Sequence, residues 1–142
     1  MTADTNFKTS GSNGTTFATN SKELSGTGKL KLTGNMRNTG SWSYKTDVSV
    51  TGNVTDNGTW TSADGKKLIF NGTGEQSFIP VAETTYKIIE VNKSAGSFST
   101  ASDKNLKVTT FTLTACPETT FNGESTFTAF DSDAAAGNIT PI

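Results

Sequence analysis

The chain has 142 residues and a formal net charge of −1, with 32% hydrophobic and 18% charged residues. This length suits a single domain. Thr, Ser, Asn and Gly together make up nearly half of the chain, while Phe and Trp supply apolar bulk, so the composition indicates a turn-rich β protein. Because the sequence contains no histidine, Ser-His-Asp and Cys-His catalysis and His-ligated zinc are excluded. The single cysteine excludes an internal disulfide framework, and the scattered lysines disfavour nucleic-acid binding.

The first part of the chain, residues 1–25, is weakly patterned. Beyond Met1, its large apolar residues are Phe7, Phe17 and Leu24. We expect this segment to belong to the same β domain as the repeat region, residues 26–130, and the polar C-terminal tail, residues 131–142. No apolar run in the sequence is long enough to span a bilayer, so membrane insertion is not expected.

An 18-residue repeat follows the N-terminal segment. When residues 30–43 are aligned with residues 48–61, Thr, Gly, Asn, Gly and Trp recur at matching positions, and an aliphatic pair opens each unit. This alignment places Asn35 over Asn53 and Trp42 over Trp60. It predicts stacked structural units with side-chain amides in a column, spaced at the distance of about 4.7–4.9 Å between neighbouring strands.

Apolar strand centres continue beyond the repeat at intervals of about 18–20 residues. They lie at residues 68–70, 88–91, 108–113 and 127–130, and Gly-Asn, Asn-Gly and Asp-Gly pairs between the centres indicate tight turns. The predicted core consists of the recurrent apolar residues of these centres: Leu30, Leu32, Val48, Val50, Leu68, Phe70, Ile88, Val108, Phe111 and Phe127.

Two all-β architectures fit this pattern. In a parallel β-helix, or β-solenoid, each coil of about 18–20 residues pairs with the coils above and below it. In an antiparallel β-sandwich, the same period would span a pair of strands. A coil has a narrow interior that needs few apolar residues, so the low hydrophobic content favours the solenoid.

Residues 48–70 and the following residues 71–78, Asn-Gly-Thr-Gly-Glu-Gln-Ser-Phe, resemble the degenerate repeats of large bacterial surface proteins. The resemblance is to the filamentous-haemagglutinin and autotransporter-passenger type, and residues 86–113 have the same style. It implies a right-handed parallel β-helix segment of an exported cell-surface protein, and it brings no catalytic residues.

Three aromatic residues, Trp42, Tyr44 and Trp60, form the candidate ligand site. They could make a platform on which sugar rings stack. The alternative, which we favour, is that the repeat stacks the two indoles on each other or places them inside the coil. No residue is predicted to be catalytic, to bind a cofactor or to hold a metal.

The predicted function is that of a non-enzymatic structural or adhesive segment of an extracellular or cell-surface protein, with filament formation as one form of this role. Expected partners are other copies of the chain, neighbouring repeats of a parent protein or cell-surface glycans. One alternative is a carbohydrate-binding β-sandwich module. A second is a polysaccharide-acting β-helix enzyme. Such an enzyme would need a cleft of convergent carboxylates and of bases such as Lys or Arg, and the chain has one arginine, Arg37. A third is an ice-binding solenoid, suggested by the threonine run at residues 109–114.

Overall fold

The computed structural model describes the backbone of residues 5–8, 15–16, 23–24, 28–133 and 136–141, and the side chains of residues 28–133 and 137–140. Within these ranges the chain forms strands and no helix. The strands are, in chain order, β1 (Thr5–Lys8), β2 (Thr15–Thr16), β3 (Glu23–Leu24), β4 (Leu30–Thr33), β5 (Met36–Asn38), β6 (Ser41–Tyr44), β7 (Val48–Val50), β8 (Val54–Asp56), β9 (Thr59–Ser62), β10 (Leu68–Phe70), β11 (Gln76–Ile79), β12 (Thr85–Asn92), β13 (Ser97–Thr100), β14 (Leu106–Phe121), β15 (Ser125–Ser132) and β16 (Ala136–Pro141).

The strands stack into three faces. The first face has the order β1, β4, β7, β10, β12, β14, β15, and the second has the order β2, β5, β8, β11, β13, β14, β16. The long strand β14 serves both faces, because its first half pairs with β12 and its second half pairs with β13. The third face consists of β3, β6 and β9.

Every strand pair among the described residues is parallel, so the chain is a β-solenoid. Between β4 and β15 it completes five turns. The prediction of a solenoid is confirmed. The antiparallel sandwich is wrong, because strands joined by hairpins would pair antiparallel.

The period of the stack varies along the chain. One inward column of the first face runs through Leu30, Val48, Leu68, Ile89, Phe111 and Phe130. Its steps lengthen from the first turn to the fourth and shorten again at the last, so the expected period holds for the first, second and last steps. Two steps exceed it, from Leu68 to Ile89 and from Ile89 to Phe111. In the first of them the connection between β10 and β11, residues 71–75, is longer than residues 51–53, which join β7 to β8 in the preceding turn.

Inward-pointing residues of these columns fill the interior of the coil. Eight of the ten predicted core residues are buried, and Phe127 is partly buried against them. The prediction for Ile88 is wrong, because Ile89 occupies the inward column and Ile88 is only half-buried. Two successive residues, Lys87 and Ile88, face outward after the buried Tyr86, so strict alternation breaks at this point of β12.

The repeat places like residues in direct contact along the axis. The Cα atoms of Trp42 and Trp60 are partners in adjacent strands, as predicted. Asn35 also lies next to Asn53, but its side-chain oxygen accepts a hydrogen bond of 2.8 Å from the Asn53 backbone N–H. The Asn53 side-chain oxygen accepts one of 2.8 Å from the Ser77 N–H in turn. The column is therefore joined by bonds from side chain to backbone, in place of the predicted bonds between amides.

Close approach of consecutive turns explains why glycine recurs in the repeat. A Cβ atom at Gly58 would lie 2.0 Å from the carbonyl oxygen of Gly40, which is far inside van der Waals contact. That oxygen accepts the N–H of Thr59 at 2.8 Å. Any side chain at this position would force the turns apart and break the bond.

The stack extends beyond the predicted repeat region of residues 26–130. Strands β1, β2 and β3 lie within residues 1–25 and pair with β4, β5 and β6. At the other end, β15 continues to Ser132 and β16 lies within the segment that was predicted to be a polar tail. Backbone hydrogen bonding of parallel strands does not require apolar side chains, so these polar segments continue the stack of the single β domain.

Candidate functional site

The three aromatic residues of the predicted sugar platform lie inside the coil. Trp42, Tyr44 and Trp60 are 1%, 2% and 6% exposed. The two indole rings meet edge to face, with centroids 4.3 Å apart, and the Trp60 indole N–H donates to the Tyr44 hydroxyl at 3.3 Å. A sugar platform needs exposed ring faces, whereas these three rings are buried in contact with each other. The three side chains therefore form part of the core and offer no exposed face for a sugar platform; the indoles contact each other inside the coil, which is the alternative that the sequence favours.

Aromatic contacts continue along the interior from this cluster. Trp60 contacts Tyr86 at 5.8 Å between ring centroids, and Tyr86 contacts Phe78 at 5.0 Å. Further phenylalanines extend the series to the last turn: Phe70, Phe98, Phe111, Phe121, Phe127 and Phe130. Edge-on and tilted ring pairs of this kind stabilise a core beyond the burial of area alone. They hold successive turns together and leave the outer surface to polar residues.

A buried carboxylate lies at the corner between the second and third faces. Asp56 is 1% exposed and accepts hydrogen bonds from the Asn38 amide at 2.8 Å, the Gly58 N–H at 3.1 Å and the Tyr86 hydroxyl at 2.7 Å. Burial raises the pKa of Asp56, and these three hydrogen bonds oppose the rise. One turn earlier, Asn38 fills the same position and accepts the Gly40 N–H at 3.2 Å. Donors from three different strands and corners, Asn38, Gly58 and Tyr86, therefore hold the Asp56 carboxylate in the core and join neighbouring turns through it.

Lys93 is a second buried polar residue. Its ammonium group donates to the carbonyl oxygens of Gly72 and Gly74 and to the side-chain oxygen of Gln76. Burial lowers the pKa of Lys93. Three acceptors match the three N–H donors of an ammonium group, so Lys93 joins its own turn to the preceding connection at residues 72–76.

Sequence reasoning did not single out Asp56 or Lys93. For Asp56 a signal existed, because it occupies the position of Asn38 in the next copy of the repeat. Lys93 had no such signal. Its acceptors come from a connection whose length departs from the repeat.

Two acidic residues of the middle turns, Glu83 and Glu90, are paired with lysines on the outer surface. Glu90 contacts Lys67 at 2.8 Å, and Glu83 contacts Lys107. Each pair joins residues more than twenty positions apart, so the pairs connect neighbouring turns of the coil. Surface ion pairs of this kind contribute little stability individually, and they place opposite charges of neighbouring turns next to each other.

Small hydroxyl residues form a column on the second face. Ser77, Ser99, Thr120 and Thr140 are partners in successive strands, and all four positions lie outside the buried columns. Neighbouring strands place such side chains at intervals of about 4.8 Å. The outer surface therefore repeats the same short polar groups along the axis.

No family model matches the chain, and no curated protein or solved structure matches it. The part of the chain that the structure describes contains no helix of the length and apolar character needed to cross a membrane. In that same part, histidine, cysteine and acidic residues do not gather in groups of three or more that could hold a metal ion. A function for the chain must therefore be inferred from the solenoid itself.

Proposed function

We propose that the chain is a non-enzymatic structural segment of an extracellular or cell-surface protein, serving as a rigid spacer that displays a polar outer surface. The observation that carries the proposal is the unbroken first face, in which seven parallel strands stack from β1 to β15. Each turn adds about 4.8 Å along one axis. Such a stack extends along one axis as turns are added, which suits a spacer.

The interior supports the same proposal. Aromatic and aliphatic side chains fill the coil, and the buried polar residues Asp56 and Lys93 bond to neighbouring turns. Outer positions carry Ser, Thr and paired charges instead. A surface of this composition stays hydrated, as a displayed spacer requires.

Antibody accessibility on living cells of the source organism tests the proposal. An antibody raised against the purified chain is applied to intact and to permeabilised cells, with an antibody to a cytosolic protein as the control for membrane integrity. We expect full staining of intact cells. Staining that appears only after permeabilisation would overturn the proposed location.

An adhesive role is the second form of the proposed function, favoured by the regular hydroxyl column on the second face. A glycan array with the purified chain distinguishes the two forms. Selective binding that is lost when Ser99 and Thr120 are replaced by Ala supports adhesion, whereas an array without binding supports the spacer.

A further inference from the structure

The turn that contains β15 and β16 exposes apolar side chains at inward positions. In the first face, Phe130 follows Leu30, Val48, Leu68, Ile89 and Phe111 in one column; the earlier members are at most 1% exposed, whereas Phe130 is 41% exposed. In the second face, Ile139 follows Thr119 and is 39% exposed. These are the large apolar residues that the structure exposes within its described side chains. Their columns would be completed by one more turn.

The strands of this turn also offer backbone groups for pairing. Among the described strands, β15 and β16 each pair with β14 alone. At the other end of the stack, β1 pairs with β4 alone and β2 with β5 alone. Because β1 lies in the same face as β15 and β2 in the same face as β16, the two ends carry complementary parallel edges. Such edges are templates for pairing with another chain.

Charge is distributed unequally along the axis. The first two turns, residues 1–46, contain six basic and two acidic residues, for a net charge of +4, and the excess comes from Lys29, Lys31, Arg37 and Lys45 of the second turn. Residues 108–142 contain four acidic residues and no basic residue, for a net charge of −4. The acidic residues of the second group are Glu118, Glu124, Asp131 and Asp133, and all four are exposed. Opposite ends of two copies therefore attract each other, whereas like ends repel.

We propose that the C-terminal turn binds the N-terminal turn of a second copy of this chain, head to tail, so that both faces continue as parallel sheets across the junction. Thr5 lies in the column that ends at Phe130, and Lys8 lies three positions further along the same strand. Continued register brings Thr5 of the second copy next to Phe130 and Lys8 of the second copy next to Asp133. The junction repeats the contact between turns that already operates within the chain.

The orientation follows from charge and from strand polarity. A junction between two C-terminal turns would bring two groups of four acidic residues together, and it would pair β15 antiparallel with its own copy. A junction between two N-terminal turns would bring the net-positive residues 1–46 of two copies together, and it would pair β1 antiparallel with its own copy. Only the head-to-tail junction keeps opposite charges together and retains the parallel pairing of the stack, and a heterologous contact of this kind generates open filaments.

Sedimentation velocity across a wide range of concentrations tests the proposal on the purified chain. We expect the wild type to form a series of oligomers that grows with concentration and weakens as salt is added. A wild-type chain that sediments as a monomer at every concentration would overturn the proposal.

Charge-reversed variants test the orientation. The tail variant is Asp131→Lys with Asp133→Lys, and the head variant is Lys8→Glu with Lys31→Glu. We expect each variant alone to associate at least about tenfold more weakly than the wild type, because attraction at the junction becomes repulsion. Mixing the two variants restores complementary ends and therefore restores association.

The matched control is Glu75→Lys with Asp103→Lys, which changes the net charge as much as the tail variant does but in middle turns. It should associate as the wild type does. If the head variant alone dimerises as strongly as the wild type, the junction is tail to tail. If the tail variant alone does so, the junction is head to head, and either result overturns the proposal. Circular dichroism and thermal unfolding of each variant separate lost association from lost folding.

Discussion

At the scale of single residues, the buried polar groups show how the coil tolerates charge in its interior. Asp56 lies in the core because three protein donors, from Asn38, Gly58 and Tyr86, reach its carboxylate. A buried carboxylate without such partners would be strongly destabilising. Burial still disfavours the charged form of Asp56, and it therefore raises the pKa of this carboxyl above the usual value.

The raised pKa of Asp56 predicts a pH dependence of stability. Because the pKa is higher in the folded than in the unfolded chain, protonation stabilises the fold; the gain is complete below the ordinary pKa of 3.8 and is lost as pH rises through the folded value. Asp56→Asn removes this contribution while keeping an oxygen that can accept from Asn38 and Gly58. We expect the stability of the wild type, relative to the variant, to rise from pH 7 to pH 4. Urea unfolding at both pH values measures the difference.

Asp64→Asn is the control for this prediction, and it has the opposite sign. Asp64 is exposed and contacts Lys87 at 2.7 Å, and this hydrogen bond holds the pKa of Asp64 below its usual value. The stabilisation by Asp64 is present above the ordinary pKa of 3.8 and is lost as pH falls through the folded pKa. The wild type should therefore lose stability relative to this variant only below the ordinary pKa of 3.8, so urea unfolding of this pair is also measured at a pH below that value. Identical trends for the two variants would contradict the assignment of the pKa shift of Asp56.

At the scale of elements, β12 shows how a strand can bend within a regular stack. Tyr86 and Ile89 both point inward although they are three residues apart, because Lys87 and Ile88 face outward in succession. The next turn has the same arrangement, with Thr109 and Thr110 facing outward between Val108 and Phe111. The shared bend keeps the two strands in register from Thr85 to Val91, where a bulge shifts the pairing.

This bend predicts unequal costs for two adjacent isoleucines. Ile89→Ala removes a fully buried side chain between Leu68 and Phe111 and should lower the free energy of unfolding by about 2–5 kcal/mol. Ile88→Ala removes a half-buried side chain on the outer surface and should cost less than about 1 kcal/mol. Chemical denaturation of both variants measures the two costs. Equal losses would contradict the orientation of β12.

At the scale of the whole molecule, stability comes from contacts between adjacent turns. Aromatic pairs such as Trp42 with Trp60, and side-chain bonds such as Asn38 with Asp56, join a turn to the next one along the axis. In a stack of this kind, stability is close to a sum of contributions from neighbouring turns. Removal of one complete turn therefore leaves the remaining contacts intact.

A deletion tests this additivity. Removing residues 41–58 joins Gly40 to Thr59, and because Ser41 and Thr59 are partners in adjacent strands, every later residue stays in its column. We expect the shortened chain to fold into a β structure that unfolds cooperatively at a lower denaturant concentration. Removing residues 41–49 shifts the columns out of phase, and this control should not fold. Equal behaviour of the two deletions, followed by circular dichroism, would contradict a stack of independent turns.

The sequence by itself favoured the stack over the sandwich and determined most of its core. A repeat of Thr, Gly, Asn, Gly and Trp at one constant offset leaves few arrangements other than one unit above the next, because stacking brings like residues to like positions. Gly58 illustrates the reason, since the backbone of Gly40 leaves no room for a side chain there. Local spacing and steric exclusion act within one or two turns, and both can be read from the chain.

Where the period departs from that of the repeat, only the tertiary structure decided whether a residue faces the interior of the coil or its outer surface. The bend in β12 turns Ile89 inward in place of Ile88. Trp42, Tyr44 and Trp60 do follow the repeat, and the closure of the third face decided between the two interpretations that the sequence left open, by placing their rings inside the coil. Lys93 found its acceptors in a connection of irregular length. These outcomes depend on how corners of unequal length close around one interior, and that geometry is a property of the assembled coil rather than of any single repeat.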